Sequence, residues 1–145
     1  MTLRASSFGQ GQEIPSRHGK RDQNVSPGLT WTDPPPGTES LALAVVDTDP
    51  AAMGYVHWLV VDIDPLTTEL PEGSAEGALP GPAHEASPYV GPFPPEGTHD
   101  YAFRLYALDT ARVELPPNPS LQQFLDTVEP HAIDIANLVG SFTRD

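Results

Sequence analysis

Two short clusters of acidic and histidine residues are the parts of this chain best suited to binding chemistry. One is the Asp-Thr-Asp run at 47–49 with the nearby His57, and the other is the His-Asp-Tyr run at 99–101. Each cluster lies at the end of an apolar run that predicts a strand, so their side chains can meet at the rim of one sheet. Carboxylates, imidazoles and a phenol above an apolar floor would bind a small ligand with a polar head group.

The alternation of side chains along a strand predicts how these groups are arranged. His99 and Tyr101 point to one face, and Asp47 and Asp49 share a face where their strand persists. Carboxylates repel a phosphate, so their expected role is to hold the second ring nitrogen of His57 and of His99, which fixes the tautomer and raises the pKa. A pocket with both acids and donors favours a phospho-amine head group over a bare phosphate.

Other chemistries of the same residues stay open at this point. Two aspartates and two histidines can hold zinc or a hard cation, and His57 or His99 can serve as a general base. The chain has no cysteine, no H-E-x-x-H segment and no Gly-x-Ser-x-Gly segment around a nucleophilic serine. We therefore expect no metal, no cofactor and no enzymatic activity.

A purely structural role is the competing interpretation for each group. Histidines at strand ends are often satisfied by the backbone, and aspartates that lead into a proline often form turns. Tyr101 can equally be a core aromatic residue. Three further histidines, His18, His84 and His131, are predicted to lie on the surface or to cap elements.

Charge and composition limit the class of protein. The chain has 145 residues, within the size of one domain, which we take to be 1–145. Its net charge of −13 repels nucleic acid and anionic membranes. No run approaches the roughly 18 apolar residues of a membrane span, and residues 1–15 lack the apolar region of a secretory signal. We therefore expect a soluble, cytoplasmic protein with no integral membrane association.

Apolar runs predict the strands that would position the two clusters. Continuous runs at 41–46, 56–63 and 101–108 are typical of strands buried in a sheet. The polar first thirty residues favour short strands around isolated apolar anchors, and 64–88 is predicted to be a solvated loop. The anchors are Phe8, Ile14, Leu29 and Trp31. The 18 prolines lie mainly between the apolar runs, where they form rigid connectors.

Two short helices are predicted near the end of the chain. Ser120 and Gln123 form a capping box, and apolar residues follow at helical spacing up to Val128. After Pro130 the same spacing predicts a second helix that ends at Gly140. Its apolar positions are Ala132, Ile135, Ala136 and Val139. Strands first and helices last indicate a mainly β, β-rich α+β domain with the helices packed on the sheet edge.

Six short segments, in their order along the chain, carry a family resemblance. They are Asn-Val-Ser-Pro-Gly-Leu-Thr-Trp at 24–31, Asp-Thr-Asp at 47–49, His-Trp at 57–58, Gly-Pro-Phe-Pro-Pro at 91–95, Gly-Thr-His-Asp-Tyr at 97–101 and Leu-Val-Gly-Ser-Phe-Thr-Arg at 138–144. Each is weak alone, but together they are specific and span nearly the whole chain. With them, the chain resembles a bacterial member of the phosphatidylethanolamine-binding protein family, also called Raf-kinase-inhibitor-like proteins.

The resemblance implies a central antiparallel sheet, a smaller second sheet and a small anion pocket. In the family, the pocket is built from the aspartates of an Asp-x-Asp segment, the histidine before a tryptophan, and the histidine and tyrosine of a Gly-x-His-Arg-Tyr segment. Here these positions are Asp47, Asp49, His57, His99 and Tyr101. We add Gly91 and Pro92, from the proline-rich wall beside the pocket, as ligand-binding residues.

The chain departs from the family pattern at three places near the pocket. Asp100 stands where the family usually has arginine, and by alternation it should point away from the ligand. Thr-Asp-Pro-Ala at 48–51 replaces the commoner Pro-Asp-Ala-Pro order, and the stretch from Asp49 to His57 is short. These differences bear on anion affinity and on the gate of the pocket more than on the fold.

The resemblance also implies a function. Family members bind phosphorylated or phospholipid head groups and often inhibit kinases or proteases, and no general enzymatic activity defines them. We therefore expect a binding protein for phosphate- or carboxylate-bearing groups such as phosphoethanolamine. The alternative is an interaction protein that inhibits a kinase or protease, with the pocket receiving the partner's phosphoresidue or acidic terminus.

Overall fold

Two antiparallel β-sheets form the framework of the computed structural model, which describes residues 1–144. The smaller sheet has the strand order β1-β2-β5, and the larger has the order β6-β4-β3-β7-β8. The strands are β1 (Thr2–Ala5), β2 (Leu29–Thr32), β3 (Ser40–Asp47), β4 (Val56–Ile63), β5 (Glu69–Leu70), β6 (His84–Ser87), β7 (Thr98–Leu108) and β8 (Ala132–Thr143). One α-helix, α1 (Leu121–Val128), and three short 3-10 turns, Ser16–His18, Pro50–Ala52 and Glu129–His131, complete the described elements. The mainly β prediction is confirmed.

Strand β3 is buried along its whole length because both faces of the larger sheet are covered. On one face, Leu41, Leu43 and Val45 pack with residues of the smaller sheet, including Trp31. On the other face, alanines of β3 pack against Phe124 of α1. A strand covered on both faces needs a continuous apolar run, which is the pattern the sequence has at 41–46.

Helix α1 begins at the predicted capping box. The Gln123 amide donates to Ser120 Oγ over 3.1 Å, and the Ser120 amide donates to Gln123 Oε1 over 2.9 Å, so two otherwise orphaned amides are satisfied. Phe124 and Val128 are the buried residues of the helix. This prediction from the sequence is confirmed.

The second predicted helix is wrong, because that segment is strand β8. It pairs with β7 over most of its length, from Ala132 opposite Leu108 to Thr143 opposite Thr98. Burial alternates along it, with Ala136 and Leu138 inward and their neighbours more exposed. Gly140 does not end a helix: a Cβ there would lie 2.6 Å from an Ile14 side-chain carbon, so the glycine admits the N-terminal segment.

The segment 64–88 is also more structured than the predicted loop. Leu70 of β5 is fully buried, and β6 pairs with β4. Glu85 of β6 accepts a hydrogen bond from Trp58 Nε1 over 2.6 Å. The segment therefore closes one edge of the larger sheet. Among residues 1–144, no helix is long and apolar enough to cross a membrane.

The antiparallel register places three strand ends at one rim of the larger sheet. β3 ends at Asp47, directly opposite Tyr101 of β7, and β4 begins beside it at Val56. The Asp47 amide also donates to the Tyr55 carbonyl over 3.1 Å, which fixes the start of β4 against the end of β3. Residues that are far apart in the sequence therefore meet at this rim.

Candidate ligand-binding site

The rim of the larger sheet carries a cavity of about 230 Å³. It is lined by Asp47, Ala51, Ala52, Tyr55, His57, Phe93, Pro95, His99 and Tyr101. Four of the seven predicted binding residues are in this lining. The chain therefore brings both acid–histidine clusters to one small cavity, as alternation and the strand ends predict.

His99 is held between two carboxylates. Its Nδ1 lies 2.7 Å from Asp47 Oδ2, with both side chains nearly buried at 7% and 6% exposure, and its Nε2 lies 3.6 Å from Asp49 Oδ2. Asp47 Oδ1 in turn accepts a hydrogen bond from the Asp49 amide over 2.9 Å. The predicted role of a carboxylate as the partner of a histidine nitrogen therefore applies to His99.

His57 has a different partner from the one predicted. Its Nδ1 donates to the Val90 carbonyl over 2.6 Å, so a backbone oxygen and not a carboxylate fixes the tautomer. Burial lowers the pKa of His57, against the opposing effects of the Val90 carbonyl and the Asp47 charge. The expectation of a raised pKa is therefore wrong for His57, because loss of hydration outweighs the nearby acid. A ligand in the cavity would meet this ring through Nε2.

Aromatic rings form the rest of the wall around His57. Its ring centroid lies 4.7 Å from that of Tyr55, 5.6 Å from Phe93 and 5.1 Å from Tyr101. Tyr55 and Phe93 also meet edge to face at 5.3 Å. Tyr55 is not among the residues predicted from the sequence, although its spacing of two residues from His57 is the spacing of side chains on one face of a strand.

The Tyr101 hydroxyl is the unsatisfied group of the cavity. Tyr101 is fully buried, and its hydroxyl lies beside the Asp47 side chain and the Phe93 backbone without forming a hydrogen bond of good geometry within residues 1–144. Burial raises the pKa of Tyr101, and the negative charge of Asp47 adds to this, so the hydroxyl stays protonated and is a donor at neutral pH. A buried donor without a partner costs about 1–3 kcal/mol. An acceptor that entered the cavity would recover part of that cost.

The three remaining predicted residues lie beside the cavity. Asp49 supports His99, and its Oδ1 also accepts from the Ala51 amide over 2.9 Å, which caps the Pro50–Ala52 turn. Pro92 lines a second cavity on the far side of Phe93. Gly91 packs against the chain itself: a Cβ there would lie 2.0 Å from the His18 carbonyl oxygen.

His18 is a correction to the sequence analysis, because it is fully buried and not on the surface. Its Nδ1 lies 2.7 Å from the Val25 carbonyl and its Nε2 lies 2.9 Å from Ser7 Oγ. Its own carbonyl accepts from the Tyr89 hydroxyl over 2.8 Å. His84 and His131 are exposed, as predicted.

Asp100 points away from the cavity, as alternation predicts. Its side chain is exposed, while its backbone carbonyl accepts hydrogen bonds from the amide and the hydroxyl of Thr48, each over 3.0 Å. The backbone of Asp100 therefore fastens the start of β7 to the loop after β3. No group of three or more histidine, aspartate or glutamate side chains within residues 1–144 is arranged to hold a metal ion.

Comparison with known proteins agrees with the two-sheet fold. Residues 4–143 match the phosphatidylethanolamine-binding protein family, and the chain belongs to that family. A UPF0098 protein of Methanothermobacter thermautotrophicus is 36% identical over 151 residues, which cover 99% of each chain. The putative lipoprotein LppC of Mycobacterium tuberculosis is 36% identical over 150 residues, 98% of this chain and 72% of its own.

A solved structure shows the same fold. The crystal structure of Escherichia coli YbcL, described as a new member of the mammalian PEBP family, superposes with a TM-score of 0.91 at 27% identity, over 99% of this chain and 98% of its own. The fold predicted from the resemblance is therefore confirmed, and it is the fold of the bacterial branch of the family.

Proposed function

We propose that the chain is a binding protein whose cavity receives a phosphate- or carboxylate-bearing group, such as phosphoethanolamine or a phospholipid head group. The observation that carries the proposal is the buried Tyr101 hydroxyl beside His57 and His99, which forms no hydrogen bond within the described part of the chain. An anionic oxygen in the cavity would accept from this hydroxyl and from protonated imidazoles. Hydrogen bonds to a charged group contribute about 1.5–3 kcal/mol each.

Charge decides when the cavity accepts an anion. Asp47 and Asp49 put two carboxylates at the site, and His57 is kept neutral near neutral pH by its burial. An anion therefore binds best when His57 takes up a proton, and its arrival favours the protonated form of His57. Anion affinity should be modest at neutral pH and should increase as the pH falls.

The same carboxylates favour a ligand that also carries an ammonium group. Asp49 is 32% exposed at the edge of the site, where an ammonium can reach it. The rings of Tyr55 and Phe93 beside the cavity offer cation–π contacts. A cavity of about 230 Å³ holds a head group and not a whole lipid.

The test is a nuclear magnetic resonance titration of ¹⁵N-labelled protein with phosphoethanolamine. We expect the ring signals of His57 and His99 to shift, and His99→Ala to weaken binding about tenfold or more. His84→Ala is the matched control, because His84 is exposed and outside the cavity. Unshifted His57 and His99 signals at millimolar phosphoethanolamine would contradict the proposal.

A sulfate titration isolates the histidines, because sulfate keeps its charge across the pH range in which imidazoles titrate. We expect sulfate to bind more weakly as the pH rises from about 5.5 to 7.5. A dissociation constant that does not change over this range would exclude an imidazolium donor.

The alternative function is that of an interaction protein that inhibits a kinase or a protease. It is supported by the proline-rich segment 91–95, in which Phe93 and Pro95 line the cavity and so join the pocket to a rigid surface. Binding of a phosphoserine peptide that survives His99→Ala but fails with Pro95→Ser would favour this alternative. Loss with His99→Ala alone would favour the pocket.

Two further expectations remain predictions. We propose binding and not catalysis, because the cavity lining within residues 1–144 holds no serine, threonine or cysteine that could act as a nucleophile. The cytoplasmic location also stays a prediction, since one relative is named a putative lipoprotein. Fractionation of cells that express the untagged chain would test the location.

A further inference from the structure

A second cavity lies on the other side of Phe93. It has a volume of about 240 Å³, and Phe93 lines both this cavity and the candidate pocket. Its lining includes Arg21 and Arg144, together with Asp22. We call this second cavity the basic cleft. Neither cavity alone reaches the roughly 300–1,000 Å³ of a pocket for a drug-sized ligand, but together they do.

Positive charge is concentrated at this cleft. The chain has only 7 basic residues against 20 acidic ones. Arg21 and Arg144 line the cleft, and Lys20 Nζ lies 4.6 Å from the centroid of the shared Phe93 ring. Within residues 1–144, none of these three side chains forms an ion pair with a carboxylate. Within the described residues, three exposed cations beside one acid of the lining are a local exception on a strongly acidic protein.

The backbone fixes this arrangement beside the pocket. The Lys20 amide donates to the Pro92 carbonyl over 3.1 Å, and the Arg144 amide donates to the Gly97 carbonyl over 2.9 Å. The segment that carries Lys20 and Arg21 is therefore fastened to the proline-rich segment 91–95, and Arg144 is fastened to Gly97, two residues beyond it. A cleft that is already formed loses little conformational freedom when it binds.

We propose that the basic cleft binds a second anionic group of the ligand whose first anionic group occupies the candidate pocket. The inference rests on the proposed function and deepens it. The preferred ligand carries two anionic groups, joined by a linker that is long enough to pass the Phe93 side chain. A small bisphosphate and an acidic phosphopeptide share this chemistry. An extended anionic bilayer does not fit, because the rest of the chain is strongly negative and would be repelled.

The experiment compares probes that carry one phosphate group with probes that carry two. Methyl phosphate carries one phosphate group, and the bisphosphates of straight-chain diols of increasing length carry two. We expect one chain length to bind about tenfold or more tightly than methyl phosphate, because the second contact becomes intramolecular. Chains too short to cross Phe93 should bind no more tightly than methyl phosphate.

Matched variants separate local contacts from overall charge. Arg21→Gln with Arg144→Gln should abolish the gain of the best bisphosphate over methyl phosphate. Arg4→Gln with Arg112→Gln removes the same charge from two exposed arginines outside the cleft, and it should keep the gain. High salt should reduce the gain, since exposed charges are screened.

A phosphopeptide arm identifies the source of the second anion. Peptides with one phosphoserine and a glutamate at varied spacing should reproduce the gain if an acidic protein segment is the natural ligand. A gain with bisphosphates alone would assign the cleft to small molecules, and both results support a two-anion site.

The outcomes also separate this inference from the proposed function. Binding of methyl phosphate with no gain for any bisphosphate or phosphopeptide would overturn the cleft and leave the pocket intact. Bisphosphate binding that shifts signals near Arg21 but not those of His57 and His99 would overturn the shared ligand. If neither kind of probe binds, both proposals fail.

Discussion

His18 and the His57–His99 pair are all buried, and the neighbouring residues Tyr89 and Val90 contact His18 and His57 respectively. At His18, both ring nitrogens have partners, Ser7 and Val25, and the backbone carbonyl accepts from Tyr89. At the candidate pocket, the Tyr101 hydroxyl has none within residues 1–144. Burial alone therefore does not distinguish a structural histidine from a binding histidine. The distinction comes from polar groups that the chain leaves unsatisfied.

The largest expected effect is on the structural side, at Gly91. In Gly91→Ala the new Cβ would meet the His18 carbonyl at 2.0 Å and the Lys20 amide nitrogen at 2.8 Å, both of them backbone atoms. We expect a loss of at least about 3 kcal/mol in the free energy of unfolding. Urea denaturation measures it, with Gly81→Ala as the control because a Cβ there meets nothing within 4 Å. Equal stability of the two variants would contradict this packing.

The next effect is at His18 itself. His18→Ala removes a buried ring with two hydrogen bonds and leaves Val25 and Ser7 without their partner, so we expect a loss of about 2 kcal/mol. His84→Ala, at an exposed position, should change stability by less than about 0.5 kcal/mol. If His18→Ala were as stable as the parent but failed to bind phosphoethanolamine, the contrast between the two sites would be wrong.

Acidification should lower the stability of the folded chain through both His18 and His57. Burial lowers the pKa of both His18 and His57, so the unfolded chain binds protons at a higher pH than the folded chain. Stability is then full above the unfolded pKa of about 6.5 and is lost as the pH falls below it, by at most about 1.4 kcal/mol per pH unit for each histidine. Urea denaturation from about pH 8 to pH 5 measures this slope.

Replacing one of the two histidines tests how much it contributes to the pH dependence of stability. In His18→Gln the slope below about pH 6.5 should be smaller than in the parent chain. In the presence of saturating sulfate the slope should also decrease, because the anion favours the protonated form of His57. A stability that rises on acidification through this range would contradict the direction of both pKa shifts.

The smallest stability effect should be at Tyr101, where the two environments differ most. Tyr101→Phe removes a buried hydroxyl that forms no hydrogen bond with residues 1–144, so we expect stability to stay within about 1 kcal/mol of the parent or to increase. Phosphoethanolamine should nevertheless bind about fivefold more weakly, because the hydroxyl is a proposed ligand donor. Tyr89→Phe is the contrasting variant: its hydroxyl is bonded to His18, and its loss should cost stability without weakening binding.

The sequence predicts most of the larger sheet for a physical reason. The runs at 41–46, 56–63 and 101–108 are buried on both faces, and continuous apolar runs are distinctive. Strand β8 is different, because one of its faces is open and Ile133 and Ile135 are 42% and 44% exposed. Its apolar residues therefore follow no clean alternation, and long-range pairing with β7 outweighs the helical spacing.

The site was predictable only in part. The acid–histidine clusters could be found because strand ends and family segments coincide there. The burial of His18 and the close approach of Gly91 to the His18 backbone could not be predicted. Both depend on a contact between segments that are more than seventy positions apart in the sequence. The basic cleft was hidden for the same reason: Arg21 and Arg144 meet only in the folded chain.

The register of β3 against β7 has a consequence for the lifetime of the folded state. Asp47 of β3 and Tyr101 of β7 are paired across neighbouring strands. A ligand that contacts both residues in the cavity would therefore hold β3 and β7 together, and these strands separate only when the central sheet opens. A guest present at roughly 100 times its Kd would then raise the free energy of unfolding by about 2.7 kcal/mol. Amide hydrogen exchange in the middle of β3 and β7 should therefore become slower, as it should at the rim. Because the ligand also raises the free energy of unfolding, thermal shift assays can screen candidate compounds without a label.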